Sequence, residues 1–213
     1  MQARYDKRFF IRLASILVVG VIAIVGVALR QRPKPPTPAP DGVQRQGLAL
    51  MGDILAKIAP TGFGQSRRGQ RLARVVRGLA ARGRVVFSAD IAPQALCRHE
   101  HGQGMLYIKV LRLGHKLVHQ TPEEVAEGLF HEAVHMCEGH PAQSRIDEEC
   151  DGYAAGLCAG AALVGRTQPD VLTIEGATVA EFVAREYPHL SRCPQYQPVG
   201  QSREWLARRT GLR

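Results

Sequence analysis

At 213 residues and 45% hydrophobic content, the chain has room for one folded domain with appendages, and enough apolar side chains for a core. Its formal charge of +9 suggests a polyanion-binding protein, but residues 1–40 hold seven Lys/Arg against one Asp, while the remainder is nearly balanced, with 21 Lys/Arg against 18 Asp/Glu. The excess therefore belongs to the flanks of a hydrophobic segment, and no nucleic-acid partner is expected.

That segment runs from Leu13 to Leu29 without a charge, with Phe9, Phe10 and Ile11 just before it. It is long enough to span a bilayer. Arg4, Lys7, Arg8 and Arg12 precede it and Arg30, Arg32 and Lys34 follow, with no small-x-small cleavage site behind the apolar run. The pattern predicts an uncleaved signal anchor over residues 1–32, contacting the membrane through 9–29. The protein is then single-pass, with its domain on the extracytoplasmic side. Residues 33–41 form a proline-rich linker, Pro33-Lys34-Pro35-Pro36-Thr37-Pro38-Ala39-Pro40 before Asp41, which spans about 25 Å if fully extended as polyproline II. The folded domain is expected over 42–213.

Within it, Leu48, Met51, Leu55 and Ile58 predict a helix over 44–59, stopped by Pro60 and Gly62. A second helix over 66–82 carries Leu72, Val75, Val76 and Leu79 on one stripe and Arg67, Arg71 and Arg74 on another; that arginine face is read as solvated, with lipid headgroups or nucleic acid as the functional alternatives. Val85-Val86-Phe87 is a short strand and residues 92–104 read as loop. Met105–Leu111, rich in β-branched and aromatic residues, is the best strand, placed as the edge on which an extended peptide pairs. Residues 112–120 read as a connector. Thr121-Pro122-Glu123-Glu124 then announces a helix: an N-cap, a proline at the first helical position and a capping-box glutamate, with Gly139 as the stop after Glu138. A further helix starts at Ser144 or Asp147 and reaches about Gly165. Thr178-Val179-Ala180-Glu181 caps another over 179–187, and a last one covers 202–209. The expected class is α+β, mostly helical, with a short antiparallel sheet. The five cysteines follow no C-x-x-C spacing; they allow one or two disulfides outside the cytoplasm and read as small buried apolar residues inside it.

The Thr121 helix carries His131-Glu132-Ala133-Val134-His135, an H-E-x-x-H motif. Residues four apart lie on one helical face, so His131 and His135 can share a zinc ion while Glu132 serves as general base. Candidates for a third ligand are Asp147, Glu148 and Glu149 on the next helix, and His140. Here the sequence resembles the gluzincin side of the zincin metallopeptidases, over about residues 121–160. In those families a second helix supplies a Glu ligand from a run like E-x-x-A-D or E-x-x-C-D. The resemblance implies a zincin-like fold, a Zn2+ cofactor, a peptide or protein substrate, and an acid of 147–149 as third ligand. The chain departs from the pattern by placing Asp147 four residues before Asp151. Glu148 is favoured, because it lies one turn before Gly152, where the lack of a side chain lets two helices approach. Asp151 is a candidate acceptor for a ligating imidazole, and Tyr153 a candidate oxyanion donor. The expectation is a membrane-anchored zinc metallopeptidase; the alternative is a non-catalytic zincin-like scaffold at the membrane.

Overall fold

The computed structural model describes residues 35–92, 95–100, 104–138, 145–166, 173–174 and 177–187, with the side chains of 138 and 145–147 excepted. The expected anchor, His140 and the 202–209 helix lie outside the described residues, as does the Asp147 side chain. Among the described residues no helix is long and apolar enough to cross a membrane. The chain divides at Pro35/Pro36, and every element described below belongs to the unit after it.

That unit is mixed α+β and mostly helical. Helices α1 (Asp41–Ile58), α2 (Gly62–Gln65) and α3 (Arg67–Ala81) come first, then strands β1 (Val85–Ser88), β2 (Cys97–Glu100), β3 (Met105–Leu113) and β4 (Lys116–His119). Helices α4 (Pro122–Glu138) and α5 (Arg145–Val164), the two-residue strands β5 (Thr173–Ile174) and β6 (Ala177–Thr178), and helix α6 (Val179–Glu186) complete it. Part of the expected linker is structural. The backbone N–H of Ala39 donates to Phe87 O at 2.8 Å and the Ser88 hydroxyl to Thr37 O at 2.6 Å. The Gln44 amide then exchanges two further bonds with the Phe87 backbone, so the outer edge of β1 is satisfied by the incoming chain.

The sheet is mixed, where an antiparallel one was expected. β3 lies between β1, parallel to it, and β2, antiparallel, and it also pairs antiparallel with β4. The cause is β2, which lies in the stretch read as loop. The chain leaves β1, crosses to the far side of β3 and returns through the β2–β3 hairpin, which leaves β1 and β3 running the same way. β3 is thus interior over its first half, and the strand that ends this side of the sheet is β2. The β3–β4 hairpin closes through Gly114-His115, with Leu113 opposite Lys116 and Gly114 at φ +60°. A two-residue hairpin loop requires positive φ at its first position, which glycine supplies. Gln120, 4% exposed, ties this corner together: its side-chain amide donates to Leu96 O and Lys109 O. That fixes the sheet against the start of α4 one residue later.

α4 begins at the expected cap. Thr121 N donates to the Glu124 carboxylate at 2.9 Å, and Glu124 N to the Thr121 hydroxyl at 3.3 Å. Its face made of Val125, Ala126, Leu129, Phe130, Ala133 and Val134 is buried in the core, with Phe63 of α2 edge-on to Phe130 at 5.3 Å. Each large apolar side chain buried this way stabilises the fold by about 1.5–3 kcal/mol. The adjoining face, carrying Glu127, Gly128, His131, Glu132 and His135, looks toward α5 and β2.

Candidate metal centre

α5 meets α4 along a stripe of glycines four residues apart: Gly152, Gly156 and Gly160. A Cβ on Gly156 would stand 2.5 Å from Glu127 O, one on Gly160 2.7 Å from the Glu127 side chain, and one on Gly152 3.0 Å from the His131 ring. At Gly156 the obstacle is backbone, which cannot swing aside, so a larger residue does not fit there and the stripe limits how closely the helices approach. Arg68 of α3 and Asp151, which is 1% exposed, form an ion pair of 3.7 Å at the back of α5.

The close approach brings the imidazoles of α4 onto the first turns of α5. His131 Nε2 and His135 Nε2 face one another at 3.0 Å. The Glu149 carboxylate lies over the same gap, 3.4 Å from His131 Nε2 and 3.7 Å from His135 Nε2. One donor atom from each of the three falls within 4.8 Å of the others. Glu148 takes a different place: its Oε1 lies 2.9 Å from His135 Nδ1. With the Nδ1 proton donated to Glu148, the lone pair of His135 Nε2 is turned into the gap. Of the acids weighed from sequence, the geometry therefore brings Glu149, rather than the favoured Glu148, to the shared Nε2 gap. Asp151, the candidate acceptor for a ligating imidazole, is buried and ion-paired with Arg68.

Two imidazole nitrogens and one carboxylate oxygen are the hard-to-borderline donor set that suits zinc, and three protein donors leave a coordination position open. The residues present thus fit a metal ion. His131 also borders a cleft of about 620 Å³. Glu132 lines it beside His131; Leu96, just before β2, and Cys97, its first residue, form one wall, and Phe182 and Tyr187, from α6 and just beyond it, form the other. Burial, with a contribution from Glu132, pushes the Cys97 thiol well up, so it stays protonated and inert. Among the described residues, no disulfide joins Cys97, Cys137, Cys150 and Cys158 to one another.

α6 is held over the cleft by its own capping box, Thr178 with Glu181, and by Val179 and Val183 packed on Cys150. It delivers a residue for which sequence reasoning assigned no role. Tyr187 Oη lies 3.3 Å from Tyr153 Oη, while the Tyr153 ring stands edge-on to His131 at 4.6 Å. Burial, and then the hydrogen bond to Tyr187, raise the Tyr153 phenol; burial likewise raises Tyr187. Both phenols therefore remain O–H donors across the neutral range. No sequence signal pointed to Tyr187, because its partner is 34 residues away.

No known family model matches the chain, and no curated protein or solved structure matches it. The resemblance to gluzincins consequently rests on the residues of α4 and α5 themselves.

Proposed function

We propose that the chain is a zinc metallopeptidase of the gluzincin type, tethered to a membrane by residues 9–29 with its domain on the extracytoplasmic side. The observation that carries the reading is the convergence of His131 Nε2, His135 Nε2 and the Glu149 carboxylate, with His131 and the neighbouring Glu132 both lining one cleft. These three residues would hold the ion. When bound, zinc supplies Lewis acidity, lowering the pKa of water and polarising a carbonyl.

The remaining chemistry belongs to side chains. Glu132 accepts the proton of the attacking water as the oxygen–carbon bond forms, and returns it to the amine nitrogen as the carbon–nitrogen bond breaks. Glu148 keeps His135 in the tautomer whose Nε2 lone pair points into the gap. Of the two tyrosine hydroxyls, one is engaged by the other, and the second proton is left for the developing oxyanion. The peptide is placed along the outer side of β2. Leu96 O accepts from Lys109 N at 3.0 Å and so faces β3; main-chain groups alternate, and those of Cys97 face outward, ready for an added strand.

The test uses the full chain purified in mild detergent. Metal analysis should give about one zinc per chain, and a mixture of unstructured peptides should be cleaved. Glu132→Gln should retain zinc and lose activity by about 10²–10⁴-fold. Zinc retention without cleavage by the unaltered chain would favour the scaffold reading, and absence of zinc would reject both in their metal-binding form.

A further inference from the structure

Between Asp53 and Asp90 the chain has eight Lys/Arg and no Asp or Glu. α3 concentrates them. It buries Leu72, Ala73, Val76 and Leu79 and is anchored by Arg68 to Asp151 and by Arg71 to Cys137 O at 3.0 Å. Arg67, Arg74 and Arg77 are left exposed on one side, and Arg82 and Arg84 continue the exposed run just beyond the helix. Among the described residues, no carboxylate pairs with any of these five. Like charges three and four apart on a helix repel one another, so a folded chain with this face is relieved by an anionic surface.

The stripe has shape as well as charge. Two hollows flank Arg74. One, of about 330 Å³, is bordered by Arg74, Arg77 and Gln70. The other, of about 350 Å³, is bordered by Arg74, Arg82 and Arg84, where Gly78 and Gly104 leave room for the guanidinium groups. Each is bordered by at least two arginines and is large enough for a phosphate, whose oxygens arginine recognises by paired N–H donors. The helical face offers no aromatic ring for base stacking, which separates it from a nucleic-acid groove. The chain also carries its own route to lipid in the uncharged Leu13–Leu29 run with basic flanks.

We infer that the exposed arginine face of α3, through the two hollows beside Arg74, binds the phosphate headgroups of anionic lipids. A domain docked this way lies against the bilayer instead of hanging free on its linker. The inference is independent of the metallopeptidase reading: the α3 face needs neither zinc nor Glu132.

The experiment mixes the full chain with vesicles, either purely zwitterionic or containing about 30% anionic phospholipid. Flotation with zwitterionic vesicles reads the hydrophobic segment alone. Arginine modification by phenylglyoxal, mapped by mass spectrometry, reads the stripe. On anionic vesicles, Arg74, Arg77 and Arg82 should react several-fold more slowly than on zwitterionic ones, with Arg112 unchanged as the internal reference. About 0.5 M salt should restore their reactivity. Changing Arg74, Arg77 and Arg82 together to Gln should remove the anionic-lipid preference, worth about a hundredfold in partitioning; these side chains are exposed, so the fold should survive. Equal reactivity on both vesicle types overturns the inference. So does failure to float with either, and so does protection by a duplex DNA oligonucleotide that matches or exceeds that given by lipid at the same phosphate concentration.

Discussion

Along the α4–α5 seam, the stretch opposite Glu127 and the stretch opposite His131 are built on the same glycine stripe yet hold different things. Opposite Glu127 the seam is closed: a Cβ at Gly156 would meet backbone oxygen at 2.5 Å. Opposite His131 the space is filled by an imidazole, with a hypothetical Gly152 Cβ only 3.0 Å away, and two carboxylates address the histidines from α5. Helices pinned together at one end set the width of the gap at the other. The closed end is thus a spacer for the open end, and changes at the two ends should have separable effects.

The largest effect should come from Glu149. Glu149→Gln removes a negative charge from the gap between the two Nε2 atoms, and zinc affinity should fall by more than the 10–100-fold typical of a supporting residue. Glu148→Gln should fall within that 10–100-fold range, because its place is on His135 Nδ1. Competition with a chromophoric chelator measures both. Equal losses would mean the two acids share the ion, and a larger loss at Glu148 would restore the order expected from sequence.

Why the sequence points to Glu148 while the geometry brings Glu149 to the gap can be stated in angles. A single glycine, Gly152, pointed to Glu148 one turn before it. The three glycines together define a stripe, and at 100° per residue Glu149 lies about 20° from its centre and Glu148 about 80°. The information was in the sequence, in a feature three turns long. The start of α4 was legible because a capping box is local, and β3 because composition is local. β2 was not legible: Cys97-Arg98-His99-Glu100 carries no β pattern and becomes a strand only by pairing with β3. Gly114-His115 was a readable hairpin signal passed over as part of a connector. Tyr187 was beyond reach, since only the docking of α6 on α5 brings it to Tyr153.

Glycine substitutions sharpen the contrast next. Gly156→Ala places a methyl group against backbone that cannot swing aside, so it should destabilise the fold by about 1–3 kcal/mol despite alanine's better helix propensity. Chemical denaturation of the full chain measures it. Gly152→Ala meets a side chain instead, and a ring can turn by a few tenths of an ångström. Its stability cost should be smaller, and its signature should be weaker zinc binding through a displaced His131. If Gly156→Ala lowered stability and left zinc affinity unchanged, the closed end would not set the width of the open one.

The smallest effect concerns the acid at the closed end. Glu127 is held above the ordinary glutamate value of 4.5, first by burial and then by Glu124, whereas the acids at the open end face imidazoles. A carboxyl whose folded pKa is raised binds protons more readily in the folded state. It therefore costs nothing below its unfolded pKa, and lowers stability progressively as pH rises from there through the folded pKa. Above that window the cost is complete. Glu127→Gln removes it, so the variant should be modestly more stable than the unaltered chain at pH 7 and equal to it near pH 4, about the unfolded value. Denaturant midpoints at the two pH values provide the comparison. A gain of equal size at both would show that Glu127 acts through packing on Gly160 and not through its charge.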